Sequence, residues 1–349
     1  MFVIRPAILD DLPTLLKLAK MVHFINLPAD KELLAAKIGR SRRSFTGEVE
    51  DIRQREFMFV LEDLESGEAV GTCTILCCVS WEGHPHIFLK TGKRSFYSED
   101  LQLGQTHTTL ELGTDSSGPS EVGGLILAPG FRGHCDRLGS LLSLIRFHFI
   151  GLHRAMFAES ILAEMMGPLT PDSGTLLWEY LGRRFINLSY KEADLFSSRS
   201  KEFLLALWPK GEIFASLLPP EARALIGKVG DETEPAKRML EKQGFKYHGH
   251  VDPFDGGPYL EVKIDEVGLV KATVSMSAIA GNPVGNSEAF VSHKGRGGFR
   301  ATRSIYEISG DRIVLAAETL EAIGATDDAM IGFTPLPESK AKPRRSKKS

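Results

Sequence analysis

The sequence predicts a mixed α/β protein: a largely antiparallel sheet flanked by helices, followed by a smaller β-rich module. Three observations predict it. Apolar runs of strand length are joined by short polar turns in the first half of the chain. One strand delivers a Gly/Arg-rich loop to a long amphipathic helix over 121–152. After Asp265 the texture changes to short β-prone runs separated by glycine and asparagine. At 349 residues the chain suits one large domain plus a smaller one. The boundaries expected are 1–265 for the large domain, 266–336 for the β-rich module and 337–349 for a basic, disordered tail.

The elements read in order as follows. Phe2 to Arg5 is a short strand, and Asp10 or Asp11 caps a helix with Leu12, Leu15, Leu16 and Leu18 on one side. A second helix follows Pro28, from about Asp30 to Phe45. Strands at 56–61 and 69–78 flank a polar turn and form a hairpin; 84–96 and 107–112 add further strands. Strand 121–129 ends at Pro129-Gly130, and a basic loop leads into a helix from about 138 to 152. Leu141, Leu142, Ile145, Phe149 and Leu152 fall in helical register there. A strand is expected over 155–164. Segments 174–185 and 235–245 share a helix–Gly–Phe or helix–Gly–Arg-Arg-Phe pattern, each read as a glycine-capped helix before a strand. In the C-terminal module, strands are expected at 272–279, 289–293, 299–308 and 312–316, with one helix near 318–323.

Bulk properties exclude several classes. A net charge of −3 gives no global field for nucleic acid. No run reaches 18 apolar residues, so no membrane span is read. The N-terminus lacks the basic and long apolar regions of a signal peptide. The four cysteines have no metal-ligand spacing, and Cys73, Cys77 and Cys78 share one apolar run. Together these point to a reducing cytoplasm and to no metal site.

The chemistry is concentrated in 121–139. A Gly/Arg loop at a helix N-terminus holds phosphate through backbone N–H groups and the positive helix end. In Gly130-Phe-Arg-Gly-His-Cys-Asp-Arg-Leu-Gly139, Arg132 and Arg137 are candidates to pair with phosphate oxygens. The lead-in Leu125-Ile-Leu-Ala-Pro-Gly-Phe-Arg-Gly133 and the Ile4-Arg-Pro-Ala start resemble the GNAT superfamily of acyl-CoA N-acyltransferases. The resemblance implies that acyl-CoA is a cosubstrate rather than a permanently bound cofactor. It places the pyrophosphate on Arg132, Gly133, His134, Arg137, Leu138 and Gly139, and pantetheine and thioester on the backbone of Leu125 and Leu127. The loop departs from the superfamily pattern: His134 stands first and Arg137 takes the place of the middle glycine.

A narrower resemblance covers roughly 1–335. Leu27-Pro-Ala29, Phe59-Val-Leu-Glu-Asp63, Asp115-Ser-Ser-Gly-Pro-Ser-Glu121, Ala163-Glu-Met165, Ile226-Gly-Lys-Val229 and Phe254-Asp-Gly-Gly-Pro258 are similar, in order and spacing, to arginine N-succinyltransferases. The resemblance implies transfer of succinyl from succinyl-CoA to the α-amino group of arginine, and assembly as a homodimer or with a homologous subunit. It also implies a proton-donating histidine after Ile-Gly-x-Val, where this chain has Gly230. That departure keeps two alternatives open: a different amine or acyl group, or a non-catalytic acyl-CoA-binding or partner subunit.

Glu121, opening the strand before the loop, is the candidate base. Glu164, Asp194 and Glu159 are candidates for a guanidinium, Glu164 first. Arg183, Arg184 and Arg199 are candidates for the substrate carboxylate. His134 and His148 read as loop or surface histidines.

Overall fold

The computed structural model describes residues 1–21, 27, 29–197 and 199–337. Pro28 and 338–349 of the expected tail therefore lie outside the described residues. Among the described residues, sixteen strands form one continuous sheet order. The large domain supplies β1 (Phe2–Pro6), β2 (Glu56–Asp63), β3 (Ala69–Leu76), β4 (His86–Ser98), β5 (Leu103–Asp115), β6 (Ser120–Leu127), β7 (Ser160–Glu164), β8 (Ile213–Phe214), β9 (Lys246–Val251) and β10 (Pro258–Lys263). The rest of the chain adds β11 (Val274–Ala280), β12 (Glu288–Gly295), β13 (Gly298–Ile305), β14 (Glu307–Ser309), β15 (Arg312–Leu315) and β16 (Met330–Pro335).

Through the middle the order is β13-β1-β2-β3-β6-β7-β10-β9-β4-β5. The pairings are antiparallel except β6 with β7 and β11 with β15. The C-terminal strands join the rest where Ala301 of β13 meets Ile4 of β1. We propose that 266–336 behaves as the smaller module, because Ala278, Val291, Ile313, Leu320 and Phe333 form a cluster of their own. Phe290 and Phe299 of the same segment nevertheless pack into the main core.

The helices are α1 (Leu12–Met21), α2 (Lys31–Thr46), α3 (Leu138–Leu152), α4 (Arg183–Phe185), α5 (Tyr190–Ser197), α6 (Glu202–Leu207), α7 (Pro220–Arg223), α8 (Glu234–Lys242), α9 (Gly268–Lys271) and α10 (Ala317–Ile323). Asp30 caps α2 by accepting from the Glu32 and Leu33 N–H groups at 2.9 Å. The helix ends at Gly47, whose φ of 83° is a left-handed stop. α3 buries Leu141, Leu142, Ile145 and Phe149 against the sheet, as its apolar spacing predicts.

Two expectations need correction. Strand 155–164 shortens to β7, because Arg154–Met156 is a tight turn pinned by the Arg154–Asp265 ion pair at 2.6 Å. Only one of the two helix–Gly units is a glycine-capped helix before a strand. After 235–245, Gly244 (φ 99°) ends the helix and β9 follows. In 174–185, Gly182 lies inside a π-helical turn, Trp178–Gly182, and α4 continues the helix with no strand after it. Gly182 is there for packing: a Cβ would lie 2.2 Å from the Trp178 ring.

Candidate active site

Everything about the site follows from how β6 leaves its neighbours. β6 pairs with β7 only at Ser120↔Ile161 and Glu121↔Leu162. Beyond Glu121 the two strands diverge, and the stretch 122–127 of β6 lines a cleft of about 640 Å³. On its other edge β6 stays paired with β3, with a register shift between Thr72 and Thr74. Gly124 takes up the irregularity at φ 58°; a Cβ there would come 2.9 Å from Thr74 Oγ1, so glycine is required on both counts. α8 contributes Ala236, Met239 and Leu240 to the cleft wall.

One end of the cleft is cationic. Arg132, Gly133, His134, Arg137, Leu138 and Gly139 all line it, together with Leu125 and Leu127. Arg137 precedes α3 in a left-handed conformation (φ 50°, ψ 49°), the conformation a glycine would take at that point of the loop. Among the described residues no side chain caps α3; the Ser140 N–H donates to the Arg137 carbonyl at 2.9 Å, and the N–H groups of Leu138 and Gly139 at the helix start are the ones placed for an anion. Arg132 pairs with Glu232 at 3.4 Å and Arg137 with Glu288 at 3.7 Å, both on the surface, where such pairs are weak and exchange readily for phosphate. The structure also brings His134, Cys135 and Asp136 within 4.8 Å of one another. His134 Nδ1 already accepts from the Asp136 N–H at 3.2 Å, and the group sits on the loop surface, so we assign no metal to it.

The opposite end is anionic. Glu164 at the end of β7, with Asp252, Asp255, Tyr190 and Tyr259, lines the cleft there. Glu164 Oε1 is hydrogen-bonded to His86 Nε2 at 2.9 Å. Burial acts to raise the Glu164 carboxyl, but the His86 hydrogen bond and the charge of Lys201 outweigh it, and the group titrates below its ordinary value. Its neighbours move the other way. Burial, then the charge of Glu164, lifts Asp252; burial, then the charge of Asp252, lifts Asp255 well above the usual range. Asp255 also clamps two chain segments, accepting from Gly257 N at 2.7 Å and Gly167 N at 3.0 Å. Tyr259 donates its hydroxyl to Asp252 at 2.7 Å.

Several expected residues are placed elsewhere. Glu121 is 4% exposed and does not line the cleft. Neither do Asp194, Glu159, Arg183, Arg184 or Arg199. Asp194 lies behind the acidic end: burial, then the charge of Asp252, pushes its carboxyl up to about 6. His148 corrects a second expectation. It is fully buried, bonded to Thr334 Oγ1 at 2.6 Å and Ser292 Oγ at 2.7 Å, and so ties α3 to the C-terminal strands. Gly230 donates to the carbonyl of Met166, a cleft residue, at 3.1 Å, which sets position 230 at the cleft's edge.

Sequence reading passed over Asp252, Tyr259, Tyr190, His86 and Arg146, all in or against the cleft. The stretch 254–258 enters the sequence reading only as one similar to arginine N-succinyltransferases. Its register signal is that Tyr259 falls opposite Glu164 once β7 and β10 pair.

Comparison with known proteins accords with this geometry. Residues 2–269 match the family model described as arginine N-succinyltransferase beta subunit. Arginine N-succinyltransferases of Enterobacter sp. (strain 638) and Escherichia coli (strain 55989 / EAEC) are each 34% identical over 328 residues, covering 93% of this chain and 94% of theirs. The chain belongs to the arginine N-succinyltransferase family. Subunit AI of the arginine/ornithine succinyltransferase of Pseudomonas aeruginosa has the same fold, with a TM-score of 0.84 at 26% identity over 97% of this chain and 99% of that one. In this member of the family the cleft beside β6 is lined by the loop residues 132–134 and 137–139 and by the carboxylates Glu164, Asp252 and Asp255. At position 230, where the sequence resemblance implies a histidine, the chain has glycine, which offers no titratable group.

Proposed function

We propose that this chain transfers succinyl from succinyl-CoA to the α-amino group of arginine or a closely related cationic amine. The observation that carries the reading is the polarity of one cleft: a cationic loop at one end, a carboxylate cluster at the other, and the free edge of β6 between them. The loop and the N-terminus of α3 hold the CoA pyrophosphate, and the backbone of Leu125 and Leu127 holds pantetheine and thioester. Ionised Glu164, steadied by His86, receives the cationic acceptor.

The acceptor ammonium must lose a proton before its nitrogen can attack the thioester carbonyl. Asp252, lifted by burial, is the better proton acceptor, and with Glu121 outside the cleft we assign it the role of base. The new C–N bond forms and the C–S bond breaks. The second nitrogen proton neutralises the departing thiolate, a good leaving group even without the histidine absent at 230.

The same reading places the protein in a reducing cytoplasm, where its four free cysteines persist. It also has the chain working as a homodimer or with a homologous subunit, which light scattering of the purified protein tests. Among the described residues no helix is long and apolar enough to cross a membrane. Free-thiol release from succinyl-CoA, with and without arginine, tests the function. Arginine-dependent release is expected. Tight succinyl-CoA binding without release with any amine would make the chain a non-catalytic acyl-CoA-binding subunit instead.

A further inference from the structure

Arg146 projects from the middle of α3, is 2% exposed, and yet lines the cleft beside Gly123 and Gly124. A guanidinium in such a place is costly unless something ionic pairs with it. Its hydrogen bonds among the described residues go to neutral oxygens. Nε donates to the Ser143 carbonyl at 2.8 Å, Nη2 to the Ser143 hydroxyl at 3.0 Å and Nη1 to the Gly123 carbonyl at 3.4 Å. Burial works against its charge, while Cys73 and then the buried Glu121 favour it through space; neither of these two lines the cleft. A methionine or leucine would fill the same volume without desolvating a charge. These contacts orient the planar fork and hold it rigid against β6.

We propose that Arg146 selects the acyl group, pairing with the free carboxylate of a dicarboxylic acyl-CoA such as succinyl-CoA. This rests on the acyl-transfer reading above and deepens it. Two carboxylates enter such a cleft: that of the acyl group and that of an amino-acid acceptor. Arg146 reaches the 122–127 stretch of β6, which carries the thioester in that reading. The acceptor end, Glu164, Asp252 and Tyr259, belongs to β7, β10 and the turn before it. The carboxylate two methylenes beyond the thioester carbon is therefore the one within reach of Arg146. A neutral acyl chain leaves the fork with no anion on the cleft side, a mismatch that a polar pocket rejects strongly.

The test compares succinyl-CoA with butyryl-CoA, its neutral near-isostere, on wild type, Arg146→Met and Arg146→Lys, with arginine and with agmatine as acceptors. Wild type is expected to bind and use succinyl-CoA in strong preference. Arg146→Met is expected to lose roughly 100-fold in kcat/KM for succinyl-CoA and much less for butyryl-CoA, with Arg146→Lys intermediate. Equal losses with both acyl-CoAs would make Arg146 a packing residue and overturn the proposal. So would an effect that follows the acceptor carboxylate, appearing with arginine and vanishing with agmatine. Calorimetric binding of the two acyl-CoAs to wild type needs no variant and no turnover; equal affinities also overturn it. Preferential binding of succinyl-CoA without turnover would instead leave this proposal standing while the transfer reading fails.

Discussion

Tyr259 faces Glu164 directly across the β7–β10 ladder, but its hydroxyl donates to Asp252 at 2.7 Å and leaves Glu164 to His86. This division of partners separates the carboxylates electrically. Glu164 is held ionised and Asp252 is lifted towards protonation, so one can hold a cation while the other accepts a proton. Glu164→Gln keeps the shape and the capacity to bond His86 but removes the charge. The expected result is a fall of about 100-fold in kcat/KM for arginine, with succinyl-CoA affinity unchanged. Arginine titration of thiol release and calorimetry with succinyl-CoA check the two halves separately. Equal damage to both would show that Glu164 supports the whole cleft rather than the acceptor.

At the other end, Arg132 pairs with the surface carboxylate Glu232 and donates to the Leu127 carbonyl at 3.4 Å, and Arg137 pairs with the surface carboxylate Glu288. If they hold pyrophosphate, losing them is uniform binding lost. Arg132→Ala and Arg137→Ala should each raise KM for succinyl-CoA about tenfold and change kcat little. Succinyl-pantetheine, which has no pyrophosphate, should show no difference between wild type and either variant.

The contrast between these two ends shows what could be read in the sequence. The loop was legible because its residues are contiguous: a proline, a Gly/Arg run and a helix start all lie within 129–139. The acceptor end was only half legible. Glu164 stood out through a local resemblance, but Asp252 and Tyr259 are about ninety residues away and reach it by strand pairing. Register is a tertiary property, and no local pattern announces it. Glu121 misled for a related reason. It opens the strand before the right loop, but the strands diverge only after it, so it stays sealed between β3 and β7. The helix expected from about 138 to 152 forms over Leu138–Leu152, yet its His148 reads as a loop or surface group from sequence because the C-terminal strands that cover it are distant in sequence.

Gly230 can be tested by restoring the histidine. Its φ lies outside the left-handed region, and a Cβ would sit 3.3 Å from the Gly167 carbonyl oxygen, tight but relieved by a shift of a few tenths of an ångström. Gly230→His should therefore fold, with a loss on the order of 1 kcal/mol. A Cβ at 230 points towards Gly167 and Pro168, next to the cleft residue Met166; if the imidazole reaches the cleft from there, it should add a limb near pH ~6.5 to the kcat–pH profile that wild type lacks. An unchanged profile in a folded variant would show that position 230 does not communicate with the departing thiolate.

His148 and Asp194 should tilt stability with pH in opposite directions. Burial pulls His148 down to about 3 from its ordinary 6.5. Between those values the unfolded chain binds more protons than the folded one, so stability falls as pH drops from 6.5 towards 3. Asp194 is pushed up to about 6 from 3.8. There the folded chain binds more protons, so its contribution is present at low pH and lost as pH rises from 3.8 through 6. Asp252 and Asp255, both raised, add to the second slope. Thermal unfolding of Asp194→Asn should show a gain over wild type that grows from pH ~4 to pH ~7, because an amide has no charge to bury. His148→Asn should show the reverse: a deficit of about 1–3 kcal/mol at neutral pH, from the disturbed bonds to Ser292 and Thr334, that shrinks on acidification. A deficit that stays constant with pH would mean that His148 acts through packing alone and that its neutrality contributes nothing to how α3 holds the C-terminal strands.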